Sequence, residues 1–174
     1  MVKQVFSRDN QYVKQARQLK QRKCRDKKGL FLLEGIRGLE DVLRSSYELE
    51  AILINSFFMK NPRAEELLSK VDKYVPVCQV SDNIFKELTL TESPQGILLI
   101  IKQKEYSLDQ IFAFESKFMV VADGIQDPGN LGTIIRTSGA AGASAVLVTK
   151  GCVDLYNPKV MRASMGGLFF LPVL

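Results

Sequence analysis

The run "FMVVADGIQDPGNLGTIIRTSGAAGASAVLVT", residues 118–149, decides the fold. An apolar segment ends in Asp123, a Gly- and Pro-rich turn follows, and residues from about Asn130 to Ala141 then recur at helical spacing. "SAVLVT" closes the run as a second apolar segment. A strand ending in Asp123 puts the turn and the start of the helix at the carboxyl edge of a sheet, where open α/β folds place their ligands. On the helix, Leu131, Ile134, Ile135 and Ser138 turn inward, while Asn130, Thr133, Arg136 and Thr137 gather on another side. Asn130 suits the helix cap, and Gly132 allows a close approach in the first turn. Two nucleotide signatures are excluded. No lysine follows either glycine pair as a P-loop requires, and no Gly-x-Gly-x-x-Gly follows the strand. A lone arginine in such a helix has a plain explanation, a surface residue paired with Asp123 or Asp127. Small neighbours on both sides instead leave the Arg136 guanidinium unobstructed beside the loop.

Outward from this run the same alternation continues. A polar helix is expected from Asp9 or Asn10 to Gly29, then strand "LFLLE", amphipathic helix "GIRGLEDVLRSS" and strand "EAILIN". Helix "NPRAEELLSKV" with Pro62 in its first turn, strand "VPVCQV", helix "SDNIFKELT" and strand "GILLII" complete the first part. Strands alternating with helices predict an α/β protein with a parallel or mixed sheet. The polar stretch "KQKEYSLDQ" separates two domains, 1–104 and 105–174, and Ser107 caps a short helix through Phe112. The second domain continues as strand "KFMVVAD", the helix above, strand "SAVLVT", a short helix from Pro158 and strand "LFFLPVL". Its sheet ends uncovered, so either a partner covers that surface or the chain is the front part of a longer protein, and the second is expected.

At 174 residues, 46% hydrophobic and 25% charged, the chain is globular. No apolar run reaches the roughly 18 residues of a membrane span, and the amino terminus is too polar for a signal peptide, so a cytoplasmic protein without a membrane partner is expected. Cys24, Cys78 and Cys152 are far apart and read as reduced structural thiols, and no metal site is expected. The chain has no histidine, which removes Ser-His-Asp and Cys-His catalysis. The net charge of +5 is concentrated at the start. Residues 1–30 hold ten Lys or Arg, Lys14, Arg17, Arg22, Lys23 and Arg25 among them, against Asp9 and Asp26. Such a patch is either a contact to nucleic-acid phosphates or a solvated helix face.

The ordered residues Asp127, Pro128, Gly129, Asn130, Gly132, Arg136 and Thr137 closely resemble the first signature motif of the SpoU-type (TrmH) RNA ribose 2′-O-methyltransferases of the SPOUT superfamily. "DLYNPKVMRASMGGLFFLPV", with Asn157, Pro158, Lys159, Arg162, Ser164 and Gly166, resembles the segment that follows in that family. "RKCRDKKGLFLLEGIRGLEDVL" and "TESPQGIL" are similar to its small N-terminal substrate-binding domain of ribosomal-protein-like α/β fold. The resemblance implies that this domain precedes the first half of a SPOUT-type, trefoil-knotted, parallel-sheet methyltransferase domain. It implies methyl transfer from S-adenosylmethionine to a ribose 2′-hydroxyl of RNA, ribosomal rather than transfer RNA. Arg136 and Asn130 would be the catalytic residues, and Lys14, Arg17, Arg22, Lys23, Arg25 and Arg162 the RNA contacts. Two later family motifs are absent from these 174 residues: a Gly-x-Glu loop and a terminal Ser-Leu-Asn-Val segment. In the family these wrap the cofactor, close the knot and build much of a dimer interface. No residue is therefore assigned to cofactor binding, a homodimer is expected of the longer protein, and this chain alone is expected to be inactive. The competing reading is a non-enzymatic RNA-binding module.

Overall fold

Apolar runs too short for helices pair into sheets, and their alternation determines which helices cover them. In this computed structural model, residues 2–115 and 118–174 are described, and the chain divides into two compact units, Met1–Gln103 and Lys104–Leu174.

In the first unit, strands β1 (Val2–Val5), β2 (Leu30–Glu34), β3 (Leu49–Ile54), β4 (Val77–Val80) and β5 (Ile97–Lys102) form one mixed sheet in the order β1-β4-β3-β5-β2. β1 and β3 run parallel to β4, whereas β5 is antiparallel to β3 and β2. β5 therefore lies between two strands and is buried on both faces, which is why "ILLII" shows no polar alternation. Helices α1 (Gln11–Leu19) and α6 (Asp82–Leu88) cover one face, packing Val13, Ala16, Leu19, Phe85 and Leu88 on Leu32, Leu53 and Leu98. α3 (Ile36–Arg44) meets the other face. Gly38 lets it approach so closely that a Cβ there would lie 2.6 Å from Leu33 Cδ2.

Two first-unit expectations need correction, and two elements were not foreseen. The single polar helix is two, α1 and α2 (Arg22–Lys28), because the buried Arg25 guanidinium donates to the carbonyls of Leu19 and Lys20 at 2.9 and 3.0 Å and so caps the end of α1. β1 has no apolar signature, as "VKQV" is an edge strand recruited by pairing with β4. Helix α5 (Ala64–Ser69) starts beyond Pro62. An unforeseen turn, α4 (Ser56–Met59), precedes it, capped by the Asn55 side chain accepting from Phe57 N and Phe58 N.

The second unit opens with α7 (Leu108–Phe112), whose Ser107 and Gln110 form a reciprocal cap. Parallel strands β6 (Met119–Ala122) and β7 (Ala145–Val148) flank α8 (Pro128–Ala140), and α9 (Pro158–Ala163) packs across α8. Lys117, taken from the sequence as part of the first strand here, lies outside the described residues. Helix α8 starts earlier than Asn130, because Asp127 is the cap and Pro128 takes the first helical position, where its missing N–H costs nothing. "LFFLPVL" is not a full strand. Gly167–Phe169 form a 3₁₀ turn, and only 172–174 reach β7, through Val146 N to Pro172 O at 2.9 Å and Leu174 N to Val146 O at 3.0 Å.

Candidate active site

The carboxyl ends of β6 and β7 are tied together by side chains. Thr149 Oγ1 donates to Asp123 Oδ1 and accepts from Gly124 N at 3.2 Å. Cys152 Sγ donates to Ala122 O at 3.3 Å and accepts from Ile125 N at 3.2 Å. The loop between β6 and α8 is thereby pinned before the helix starts. Asp127 Oδ1 then accepts from Asn130 N at 2.8 Å, satisfying one of the orphan donors of the first turn. Asn130 is thus not the cap, and its side chain is exposed at the helix start.

The faces of α8 divide as the spacing predicts. Leu131, Ile135 and Ser138 are buried with Ile134 partly so, while Asn130, Thr133, Arg136 and Thr137 are exposed. Gly132 is where α9 crosses. A Cβ there would lie 2.4 Å from Ala163 Cβ, 2.7 Å from Val160 O and 2.9 Å from Ser164 N. That crossing carries the chain after α9 back across Arg136. Gly167 lies against it, so that a Cβ there would sit 3.3 Å from Arg136 Cα.

Both carboxylates that could have paired with Arg136 are engaged elsewhere, Asp123 by Thr149 and Asp127 by the helix cap. Among the described residues Arg136 makes no ion pair. Its Nη1 donates instead to the Met165 thioether sulfur at 3.3 Å. Met165 is itself unusual, since among the described residues it is the one non-glycine residue with positive φ, at 47°. The left-handed region costs an ordinary residue about 1–2 kcal/mol. Sequence reasoning missed Met165; the one available signal was the glycine pair that follows it, marking a turn after α9. The result is an exposed, cationic guanidinium with a neutral partner, on a rigid helix crossing beside exposed Asn130, Thr133 and Thr137.

The sequence-predicted basic contacts of the first unit separate into three groups. Arg25 is 4% exposed and its guanidinium is committed to the end of α1, so its assignment as an RNA contact is corrected: it is a structural residue. Arg17 pairs with Glu87 at 3.2 Å, Lys14 with Asp9 at 2.9 Å and Arg22 with Asp26 at 3.5 Å, all on the surface. Lys14 holds the Asp9 carboxyl below its ordinary range by hydrogen bonding and charge. Exposed pairs of this kind are worth about 0–1 kcal/mol, so an incoming phosphate can displace them. Lys23 is exposed and, among the described residues, has no carboxylate partner; neighbouring Lys27 and Lys28 share both properties. In the second unit Arg162 is exposed on α9, three residues before Met165. Among the described residues no group of three or more Cys, Asp and Glu could hold a metal ion, and no helix is long and apolar enough to cross a membrane.

Comparison with known proteins matches two separate stretches of the chain to family models. Residues 10–99 match the MRM3-like substrate binding domain, and residues 117–174 match the SpoU rRNA Methylase family. The chain is 34% identical over 173 residues to the 23S rRNA (guanosine(2553)-2′-O)-methyltransferase RlmP of Bacillus subtilis, covering 99% of this chain and 65% of that protein. It is 36% identical over 161 residues to the mitochondrial rRNA methyltransferase 3 of Homo sapiens, covering 90% of this chain and 37% of the human protein. The crystal structure of an AdoMet-bound rRNA methyltransferase from Sinorhizobium meliloti superposes with a TM-score of 0.85 at 33% identity, over 99% of this chain and 64% of that one. The chain thus spans a little over a third of the human relative and just under two thirds of the bacterial ones.

Proposed function

This chain belongs to the SpoU rRNA methylase family and carries an MRM3-like substrate-binding domain in front, and from that membership we propose that its protein methylates a ribose 2′-hydroxyl of ribosomal RNA. S-adenosylmethionine, when bound, supplies the methyl group as an electrophilic carbon on a sulfonium. The residues around Arg136 do not suit that cation, because an exposed guanidinium repels it. They suit the anionic RNA backbone, and no residue of this chain is assigned to holding the cofactor. The observation that carries the reading is Arg136 itself, exposed and touching a neutral sulfur, while Asp123 and Asp127 are engaged by Thr149 and the helix cap.

A guanidinium is a poor base, so Arg136 acts by position. Its donors grip the phosphodiester beside the target nucleotide and orient the adjacent 2′-hydroxyl, whose proton leaves to a neighbouring acceptor as the oxygen becomes nucleophilic. Asn130, six residues earlier on α8 and free of capping duty, keeps the substrate on that side of the helix. In the first unit Lys23, Lys27 and Lys28, with the displaceable Lys14, Arg17 and Arg22, supply sequence-independent phosphate contacts. Arg162 adds one in the second unit.

The deciding assay is transfer of labelled methyl from S-adenosylmethionine to rRNA by the intact protein and its R136A and N130A variants. Losing one preorganised donor to a transition state is worth roughly a hundredfold, so R136A is expected to fall by about that much. R136A activity within about threefold of wild type would overturn the assignment. RNA binding without any methyl transfer by the wild-type protein would favour the binding-module reading. We further propose a homodimer, tested by sedimentation, and a cytoplasmic location, tested by fractionation.

A further inference from the structure

Three features meet at Met165. Its sulfur receives Arg136 Nη1 at 3.3 Å although the side chain is 52% exposed, so burial does not explain why the chain lies there. Its backbone is left-handed, with φ 47°, and Gly166 follows at φ 84°. Glycine would take the Met165 conformation without strain, so a methionine there needs a use for its side chain. The turn it opens is braced on the residue it touches. Met165 N bonds to Arg162 O at 3.1 Å, Gly167 N to Ser164 O at 2.9 Å, and Gly167 packs on the Arg136 backbone.

We propose that Met165 is a positioning residue that aims the Arg136 guanidinium at the RNA phosphodiester without neutralising it. The proposal rests on reading Arg136 as the phosphate-facing residue. A thioether is a weak, uncharged acceptor, so it occupies one N–H edge and leaves the charge and the remaining donors for RNA. A carboxylate in the same place would grip the guanidinium more strongly, but as an ion pair that phosphate must break. The unbranched methionine side chain reaches across from a turn whose backbone is already fixed against α8.

Two substitutions and three readouts test this. In M165G the left-handed strain disappears, so the melting temperature is expected to equal or exceed that of wild type. The Arg136 guanidinium resonances in arginine-labelled protein should nevertheless show faster side-chain rotation, and kcat/KM for RNA should fall roughly three- to tenfold, as expected for one weak hydrogen bond. M165E should keep the guanidinium ordered yet raise KM for RNA. Equal guanidinium mobility in wild type and M165G would overturn the proposal. So would a parallel loss of stability and activity in M165G, which would make Met165 merely structural. The resonance measurement needs no turnover: if R136A methylated normally, the role given to Arg136 would fail while the positioning result would still be read.

Discussion

Gly132 offers the sharpest test of the site's architecture, because helix propensity and packing predict opposite signs there. Replacing a mid-helix glycine by alanine ordinarily stabilises by about 0.8–1 kcal/mol. At Gly132 the new Cβ would meet Ala163 Cβ at 2.4 Å, Val160 O at 2.7 Å and Ser164 N at 2.9 Å. Two of those atoms are backbone of α9 or the residue just after it, so no rotamer change relieves the clash and the crossing itself must open. Overpacking of this kind costs roughly 1–3 kcal/mol and occasionally more. With contacts this short we take the upper end, leaving G132A destabilised by about 2 kcal/mol after the propensity gain. For a unit of this size that lowers the melting temperature by on the order of 10 °C. Gly139 provides the control on the same helix, since its nearest neighbour would be Leu171 Cδ2 at 3.9 Å. G139A should therefore be stabilising by about 0.5–1 kcal/mol. Chemical denaturation of both variants, with amide exchange read on α9, decides the matter. If G132A were as stable as G139A, the close crossing that brings the Met165 turn over Arg136 would be wrong.

Arg25 and its neighbours should separate stability from RNA affinity. R25M is expected to destabilise by about 2–3 kcal/mol in urea, through loss of charged hydrogen bonds to two carbonyls. K23A should leave the urea midpoint unchanged while lowering the slope of log affinity against log salt by about 1. At the start of α8, D127A should lose about 1 kcal/mol of stability by thermal melting, whereas N130A should lose none and affect only methyl transfer. Cys78 is 1% exposed, and burial pushes its thiol up from the ordinary range. The unfolded chain therefore ionises this thiol first, so its contribution to stability, complete below about pH 8, declines as pH rises above that. Thiol labelling should accordingly reach Cys78 only with global unfolding, and a C78A protein should lose less stability than wild type between pH 8 and 10 if this sign is right.

Some of the fold was legible because local patterns and tertiary demands agree. "LFLLE", "EAILIN" and "GILLII" are short, apolar and bounded by turn residues, and all three are strands. Ser107 carries a cap signal that the structure uses. The misses share one cause, which is that the deciding partner is remote in sequence. "VKQV" becomes a strand through β4, more than seventy residues later. The break between α1 and α2 depends on one buried arginine among many exposed cations, which a charge count treats as equivalent. The last apolar run opens in the 3₁₀ turn Gly167–Phe169, just after left-handed residues at Met165 and Gly166, and a methionine gives no warning of positive φ.

The division at the site follows the same logic. Residue order alone determined that Asn130, Thr133, Arg136 and Thr137 share one side of a helix at the carboxyl edge of a sheet, because helical periodicity is a local property of the backbone. Sequence motif alone also pointed to the family. Only the tertiary structure decided that Asp123 and Asp127 are spent on a threonine and a helix cap, that Arg25 faces inward, and that Arg136 meets a sulfur rather than a carboxylate. Which partner a charged side chain takes depends on which atoms the fold brings within about 3 Å, and hydrogen bonds fall off too steeply for sequence spacing to predict that across separate elements.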